Sequence, residues 1–256
     1  MAASKCTRLT GALSRQLLDS VDSVLFDCDG VIWRGDQAIP GAPEVINSLK
    51  KNGKRVFFVT NNSTKTRQMY ADKLGKLGFD ATADEVFGTA YCSAVYLKNV
   101  CKLDGKDVGI HPLGVGPDPI SGVQKDWANV PLDKEVQAHF SYMKLNRALQ
   151  YLSNPDCQFV GTNTDTRLPL EGGKAVPGKQ AVETAAQRQA QVVGKPSNFM
   201  FECAASQCLM VGDRLDTDIM LGSNCGLKTL LTLTGVSTVA EAEANQKSEC
   251  PQQQKM

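Results

Sequence analysis

The sequence lacks the features that would commit it to a membrane, a metal–thiolate site or a polyanion. No apolar run approaches the roughly 20 residues needed to span a bilayer. The nine cysteines (6, 28, 92, 101, 157, 203, 208, 225 and 250) are odd in number and contain no CxxC pair. That excludes a fully paired disulfide framework and leaves no zinc spacing, so reduced thiols in a cytoplasmic protein are expected. The two histidines, His111 and His139, have no partner motif. A net charge of +1 gives no bulk field for nucleic acid or an anionic membrane, and neither is expected as a partner. Residues 1–18 carry Lys5, Arg8 and Arg15 and no acid. That composition hints at a transit peptide, but Leu13 to Val21 reads better as a short amphipathic lead-in to the first strand.

What is present is a carboxylate pair at the end of an apolar run. Val24-Leu25-Phe26 leads into Asp27-Cys28-Asp29-Gly30. Strand side chains alternate, so Asp27 and Asp29 converge unless the backbone turns at once, and Gly30 permits that turn. Adjacent carboxylates repel, and a divalent cation relieves the repulsion. Cys28, directed away from both, is expected to pack in the core.

The surrounding pattern predicts a parallel α/β sheet. Strands are expected at Val24–Asp27, Val56–Thr60, Gln158–Gly161, Cys208–Val211 and Leu227–Thr232, with Val192–Val193 opening a return to the parallel pattern. Helices are expected at Ala42–Asn52, Thr64–Leu77 (N-capped by Ser63), Ala90–Val100, Tyr142–Leu152, Gln180–Gln189 and Asn198–Ser206. A Gly- and Pro-rich texture marks 104–122, and Pro169–Gly178 reads as a loop. The expected organisation is a catalytic core in two parts, 16–100 and 190–240, split by a module at 101–189, with a frayed polar tail over 241–256.

Four polar sites fall at strand ends or before helices: Asp27 with Asp29, Thr60 with Asn61-Asn62, Lys195, and Gly212-Asp213 with Asp216 and Asp218. In a parallel α/β sheet the carboxyl ends of the strands share one edge, where ligands bind. Asp27, Asp213 and the backbone carbonyl of Asp29 could hold Mg2+ through oxygen. The Thr60 hydroxyl and the Asn61 N–H suit phosphate oxygens, and Lys195 suits a transferring phosphoryl group. Asp27 could attack phosphorus, while Asp29 exchanges protons with the leaving oxygen and then with water. Asp218 could cap a following helix or pair with Lys195. Each motif alone is weak; the four in this order are not. A two-component receiver also gathers acids, a Thr and a Lys, but the Asp29-Gly30 pairing and the GDRLDTD run argue against it.

DCDGVIWRG, VTNNST, VVGKPS and VGDRLDTDI resemble the four signature motifs of the haloacid dehalogenase superfamily of phosphatases. The resemblance implies a Rossmann-like parallel-sheet core with an inserted α/β cap at 101–189. It makes Asp27 the nucleophile, Asp29 the general acid/base, Thr60 and Asn61 phosphate ligands, Lys195 the charge neutraliser, and Asp27, Asp29 and Asp213 the Mg2+ site. Asn61-Asn62 and GDRLDTD resemble the large-cap subgroup of phosphoglycolate, pyridoxal and para-nitrophenyl phosphatases. The stretch 162–173 resembles the phosphoglycolate (glycerol-3-phosphate) phosphatase branch, and a homodimer through the cap is implied. Asn163, Asp165 and Leu170 then become candidates for orienting a small, non-aromatic ester such as 2-phosphoglycolate or glycerol 3-phosphate. Phosphoprotein or pyridoxal phosphate is the alternative substrate, and an inactive binding module the alternative role. Against the family pattern, residues are missing after Lys106, between Ala138 and His139, between Gly178 and Lys179, before Gln207 and after Met256.

Overall fold

A computed structural model describes residues 6–63, 65–102, 142–164, 167–169, 175–201 and 207–248. The chain forms two compact units. The first is assembled from three stretches, Met1–Thr60, Tyr70–Phe87 and Lys195–Met256, and the second comprises Asn61–Met69 and Gly88–Gly194.

In the first unit, helix α1 (Gly11–Asp19) leads into strand β1 (Ser23–Asp27). A short hairpin follows, β2 (Trp33–Arg34) with β3 (Gln37–Ala38), then helix α2 (Ala42–Lys51) and strand β4 (Arg55–Thr60). Helix α3 spans Arg67–Lys76, crossing from the second unit into the first, and β5 is Val86–Gly88. The sheet order is β11-β10-β1-β4-β5, with β10 at Cys208–Gly212 and β11 at Lys228–Leu231. β1 pairs in parallel with both β4 and β10, and β10 with β11. Every residue of β1 and β10 is buried, as expected for parallel strands covered on both faces. Val24, Phe26, Val56, Phe58, Leu209 and Val211 join Trp33, Ile46, Tyr70 and Leu74 in one apolar core. Cys28 lies in that core, as its direction predicted.

β1 connects to neighbours on both sides, so it sits where the strand order reverses, the usual place for a ligand crevice. The registers Asp27↔Val59 and Phe26↔Val211 bring the carboxyl ends of β1, β4 and β10 to one edge.

The second unit contains α4 (Thr89–Asn99), α5 (Tyr142–Leu152) and α6 (Gln180–Ala186). Its strands form two small sheets: β6 (Val160–Gly161) parallel to β9 (Gln191–Val192), and β7 (Arg167–Pro169) antiparallel to β8 (Ala175–Pro177). Ala148, Leu152 and Val182 form its apolar cluster with Leu145 and Phe159.

Several expectations need correction. α3 starts at Arg67, not Thr64, because Thr66 Oγ1 accepts the N–H of Met69 (3.1 Å) and caps the helix in place of Ser63. α6 stops at Ala186, where Gln187 turns left-handed (φ 51°) and ends the ladder three residues early. The return expected at Val192–Val193 does not rejoin the main sheet; β9 pairs with β6. Pro169–Gly178, expected as a loop, holds the strand β8 at Ala175–Pro177, which pairs antiparallel with β7. Of the helix expected at Asn198–Ser206, the described part, Asn198–Phe201, is a 3-10 turn, and 202–206 lie outside the described residues. The tail expected to fray from 241 begins inside a helix, α7 (Val239–Lys247), because Thr238 and Glu241 form a reciprocal capping box. The stretch 104–122 lies outside the described residues. Among the described residues, seven cysteines are free thiols, and no helix is long and apolar enough to cross a membrane.

Candidate active site

The site grows from the ends of three buried strands in the first unit. Asp27 closes β1 and is buried, and Thr60 closes β4 and is buried. Asp213 follows Gly212 at the end of β10. Lys195 enters from a distant part of the chain and is also buried. Its ammonium pairs with Asp27 Oδ1 and with Asp218 Oδ1 at 2.8 Å, and donates to the Val59 carbonyl at 3.2 Å. These three oxygens match the three N–H donors of an ammonium.

Asp218 has two tasks. One oxygen faces Lys195; the other accepts the backbone N–H groups of Asp213 (3.2 Å) and Arg214 (3.1 Å). It therefore caps the turn after β10 and pairs with Lys195, whereas a cap on the following helix had been the alternative. A Cβ on Gly212 would collide with the Asp218 side chain, so glycine is required there. Asp216, two residues earlier, faces outward onto Arg214 (2.8 and 3.0 Å) and takes no part in the cluster.

Asp213 is seated by glycines as well. Its Oδ2 accepts the Val236 N–H at 2.7 Å. A Cβ on Gly235 would collide with that oxygen, and one on Gly30 would come within 2.7 Å of it. Gly30 also has φ +92°, a conformation other residues rarely adopt.

Asp29 behaves differently from Asp27. The turn at Gly30 leaves it exposed, and its Oδ1 accepts the indole N–H of Trp33 at 2.8 Å. The sequence reading missed Trp33, Val59, Gly235 and Val236. Only Trp33 left a signal, since it lies within the DCDGVIWRG run.

Electrostatics follow from burial. Burial pushes the Asp27 carboxyl up to about 7, against the pull of Lys195 and with Asp218 adding to the rise. Burial alone would lower Lys195; the carboxylates of Asp218 and Asp27 overcome it and hold the ammonium above its ordinary range. Burial also raises Asp213, against the Val236 N–H. The Cys28 thiol is pushed well up by burial and the charges of Asp27 and Asp29, which suits a packing role, not a nucleophile.

Oxygens of Asp27, Asp213 and Asp218 all lie within 4.8 Å of one another, and all three residues are buried. Three buried carboxylates, two of them paired with one ammonium, crowd together, and the donor set is oxygen only. That composition fits a hard divalent cation. Asp218 is committed to Lys195 and two N–H groups, so Asp27 and Asp213 are the carboxylates left to hold it. The carboxylate of Asp29 is not one of the three.

Asn61, Asn62 and Asn163 fall in the second unit. There the Asn61 carbonyl accepts the Thr89 hydroxyl at 2.8 Å. Gly194 leaves no room for a side chain between the Thr162 carbonyl and Asn61 Oδ1. Asn163 Nδ2 lies 3.5 Å from Thr162 Oγ1, and Asn62 is exposed. Asp165 and Leu170 lie outside the described residues.

A family profile described as haloacid dehalogenase-like hydrolase matches residues 24–110, and a second, HAD-hydrolase-like, matches 177–253. The chain is 48% identical to human glycerol-3-phosphate phosphatase, across 99% of this chain and 91% of that one. It belongs to the haloacid dehalogenase-like hydrolases. This hydrolase is also 41% identical to human chronophin, across 94% of its own length and 90% of the relative. Among solved structures it resembles glycerol phosphate phosphatase Rv1692 from Mycobacterium tuberculosis, a magnesium complex. The TM-score is 0.73 and the identity 28%, over 93% of this chain and 74% of that one. The alignment with the human phosphatase runs over 295 positions although this hydrolase has 256 residues, so at least 39 positions of the relative have no counterpart.

Proposed function

We propose that this hydrolase is a Mg2+-dependent phosphatase of small phosphorylated metabolites, with glycerol 3-phosphate and 2-phosphoglycolate as first substrates. The observation that carries the reading is the buried Asp27–Lys195–Asp218 cluster beside Asp213, at the carboxyl edge of a parallel sheet. The names of the relatives support the substrate class.

Asp27 attacks phosphorus as the ester P–O bond breaks, forming an acyl phosphate. Asp29 gives its proton to the departing oxygen. Water then attacks the phosphorus and loses a proton to Asp29, which releases phosphate and restores Asp27. Lys195 offsets negative charge throughout, and the donors of Thr60 and Asn61 suit the phosphoryl oxygens. Bound at Asp27 and Asp213, Mg2+ would supply charge neutralisation to the transferring group. We assign substrate choice to the second unit, with Asn163, Asp165 and Leu170 as its agents.

The test is phosphate release by the purified chain from glycerol 3-phosphate, 2-phosphoglycolate, pyridoxal 5′-phosphate and phosphotyrosine peptides, with a thermal melt alongside. Turnover should vanish on chelation with EDTA and in Asp27→Asn. Normal turnover in Asp27→Asn would sink the nucleophile, and preference for the peptides would sink the substrate class. A second reading, a binding module without turnover, is favoured by the positions missing against the human relative. A folded chain that binds Mg2+ and phosphate yet hydrolyses none of these esters would establish it.

A further inference from the structure

Trp33 is fully buried, yet its one polar atom is aimed at an exposed carboxylate, Asp29. The indole N–H is only a donor, so the oxygen it meets must accept. The ring is fixed from several sides. Tyr70 stacks on it at 6.3 Å with 11° between the planes, and the Lys73 ammonium sits 4.4 Å from the ring centroid. Lys73 is itself anchored on the Gly35 carbonyl at 2.7 Å. The backbone is tied at the same place. Gly30 donates to the Trp33 carbonyl at 2.8 Å, and Trp33 donates to the Cys28 carbonyl at 3.2 Å. The loop from Asp29 to Trp33 is therefore closed on itself, with the indole as its side-chain latch.

We propose that Trp33 is a positioning residue for Asp29: its N–H fixes the carboxyl rotamer and reserves Oδ1 as acceptor, leaving Oδ2 to carry the transferable proton. In the first half-reaction the proton moves from Oδ2 to the leaving ester oxygen as the P–O bond breaks. In the second, Oδ2 recovers a proton from the attacking water. This inference rests on the proposed acid/base role of Asp29. Without the latch an exposed carboxyl samples several rotamers and delivers its proton less often.

The test is Trp33→Phe, which keeps an aromatic ring for Tyr70 and Lys73 and deletes the N–H. Phosphate release is read as kcat/KM on two esters, because kcat/KM reports the step in which the leaving oxygen departs. Glycerol 3-phosphate expels a glycerol alkoxide that needs a proton; para-nitrophenyl phosphate expels para-nitrophenolate, a stable anion that does not. Trp33→Phe should lower kcat/KM about tenfold or more on glycerol 3-phosphate and far less on the aryl ester. The ratio of the two is insensitive to the folded fraction. An equal fall on both esters overturns the inference. Asp29→Asn separates that failure from failure of the underlying reading: if it too falls equally on both esters, Asp29 is not the leaving-group acid. Should the Phe variant not fold, Trp127→Phe chain grown with the isosteric benzothienyl analogue of tryptophan replaces the remaining N–H by sulfur. It should give the same selective loss, and an unchanged ratio there also overturns the inference.

Discussion

The two units use buried charge in opposite ways. In the second, Glu183 is buried, but its partners are local: Lys179 at 2.6 Å, one helical turn away, and the Ala190 N–H at 2.9 Å. Arg188 likewise spends its guanidinium on carbonyls of the α5–β6 connection, those of Leu152, Asn154 and Cys157, at 2.9–3.1 Å. Each is a structural tie that helps hold one small unit together. In the first unit, Lys195 meets Asp27 across 168 residues of chain, and three carboxylates crowd where strands end. Buried ion pairs stabilise little after desolvation, so a non-local cluster of this kind is poorly explained as scaffolding. The contrast supports the chemistry proposed for the first unit and makes the buried charges of Glu183 and Arg188 structural ties.

The largest way to break that contrast is Lys195→Met. It leaves Asp27 and Asp218 buried without their cation, at a cost of about 3–5 kcal/mol in denaturant unfolding. Phosphate release should fall by about 10³ or more, since the transferring group loses its point charge. A variant that loses stability yet keeps normal turnover would return the cluster to scaffolding.

Gly235→Ala comes next. Its Cβ would push Asp213 Oδ2 out of place, so Mg2+ affinity measured calorimetrically should weaken about 10–100-fold, with little change in the melting of the second unit.

Acidity should act on the same site. The raised carboxyl of Asp27 holds its proton below about 7, and a proton there competes with the cation. Mg2+ affinity should therefore drop as pH falls through 7, about tenfold per unit at most, and level off above it. Affinity independent of pH between 6 and 8 would contradict that assignment.

A structural tie in the second unit should behave otherwise. Arg188→Ala removes donors from three carbonyls and should cost about 1–3 kcal/mol, while the kcat of the folded fraction on para-nitrophenyl phosphate stays within about threefold. The smallest effect belongs to Asp216→Ala. Its exposed pair with Arg214 should change stability by less than about 0.5 kcal/mol and leave Mg2+ binding intact, despite lying between Asp213 and Asp218.

The long strands of the first unit were legible because parallel strands buried on both faces are nearly continuous apolar runs, as in Val24–Phe26 and Cys208–Val211, whereas the short β2, β3 and β5 were not. Element ends were less so. Nothing in the sequence separates Ser63 from Thr66 as a cap, since both are good N-cap residues, and only the chain's path decides. β9 was misplaced because two apolar residues do not specify which sheet they join.

The sequence by itself determined which polar groups stand at the ends of the buried strands, because residue type and order there depend only on local pattern and motif. Asp27, Thr60, Lys195 and Asp213 were all identified that way. Tertiary structure alone decided what each carboxylate meets. Asp27 and Asp29 look equivalent in DCDG, yet the positive φ of Gly30 buries one against Lys195 and turns the other out to the indole of Trp33. Proximity of Asp218 to Lys195, and of Gly235 to Asp213, likewise exists only once distant strands are paired side by side. Those contacts depend on sheet register and backbone direction, which no local run of residues contains.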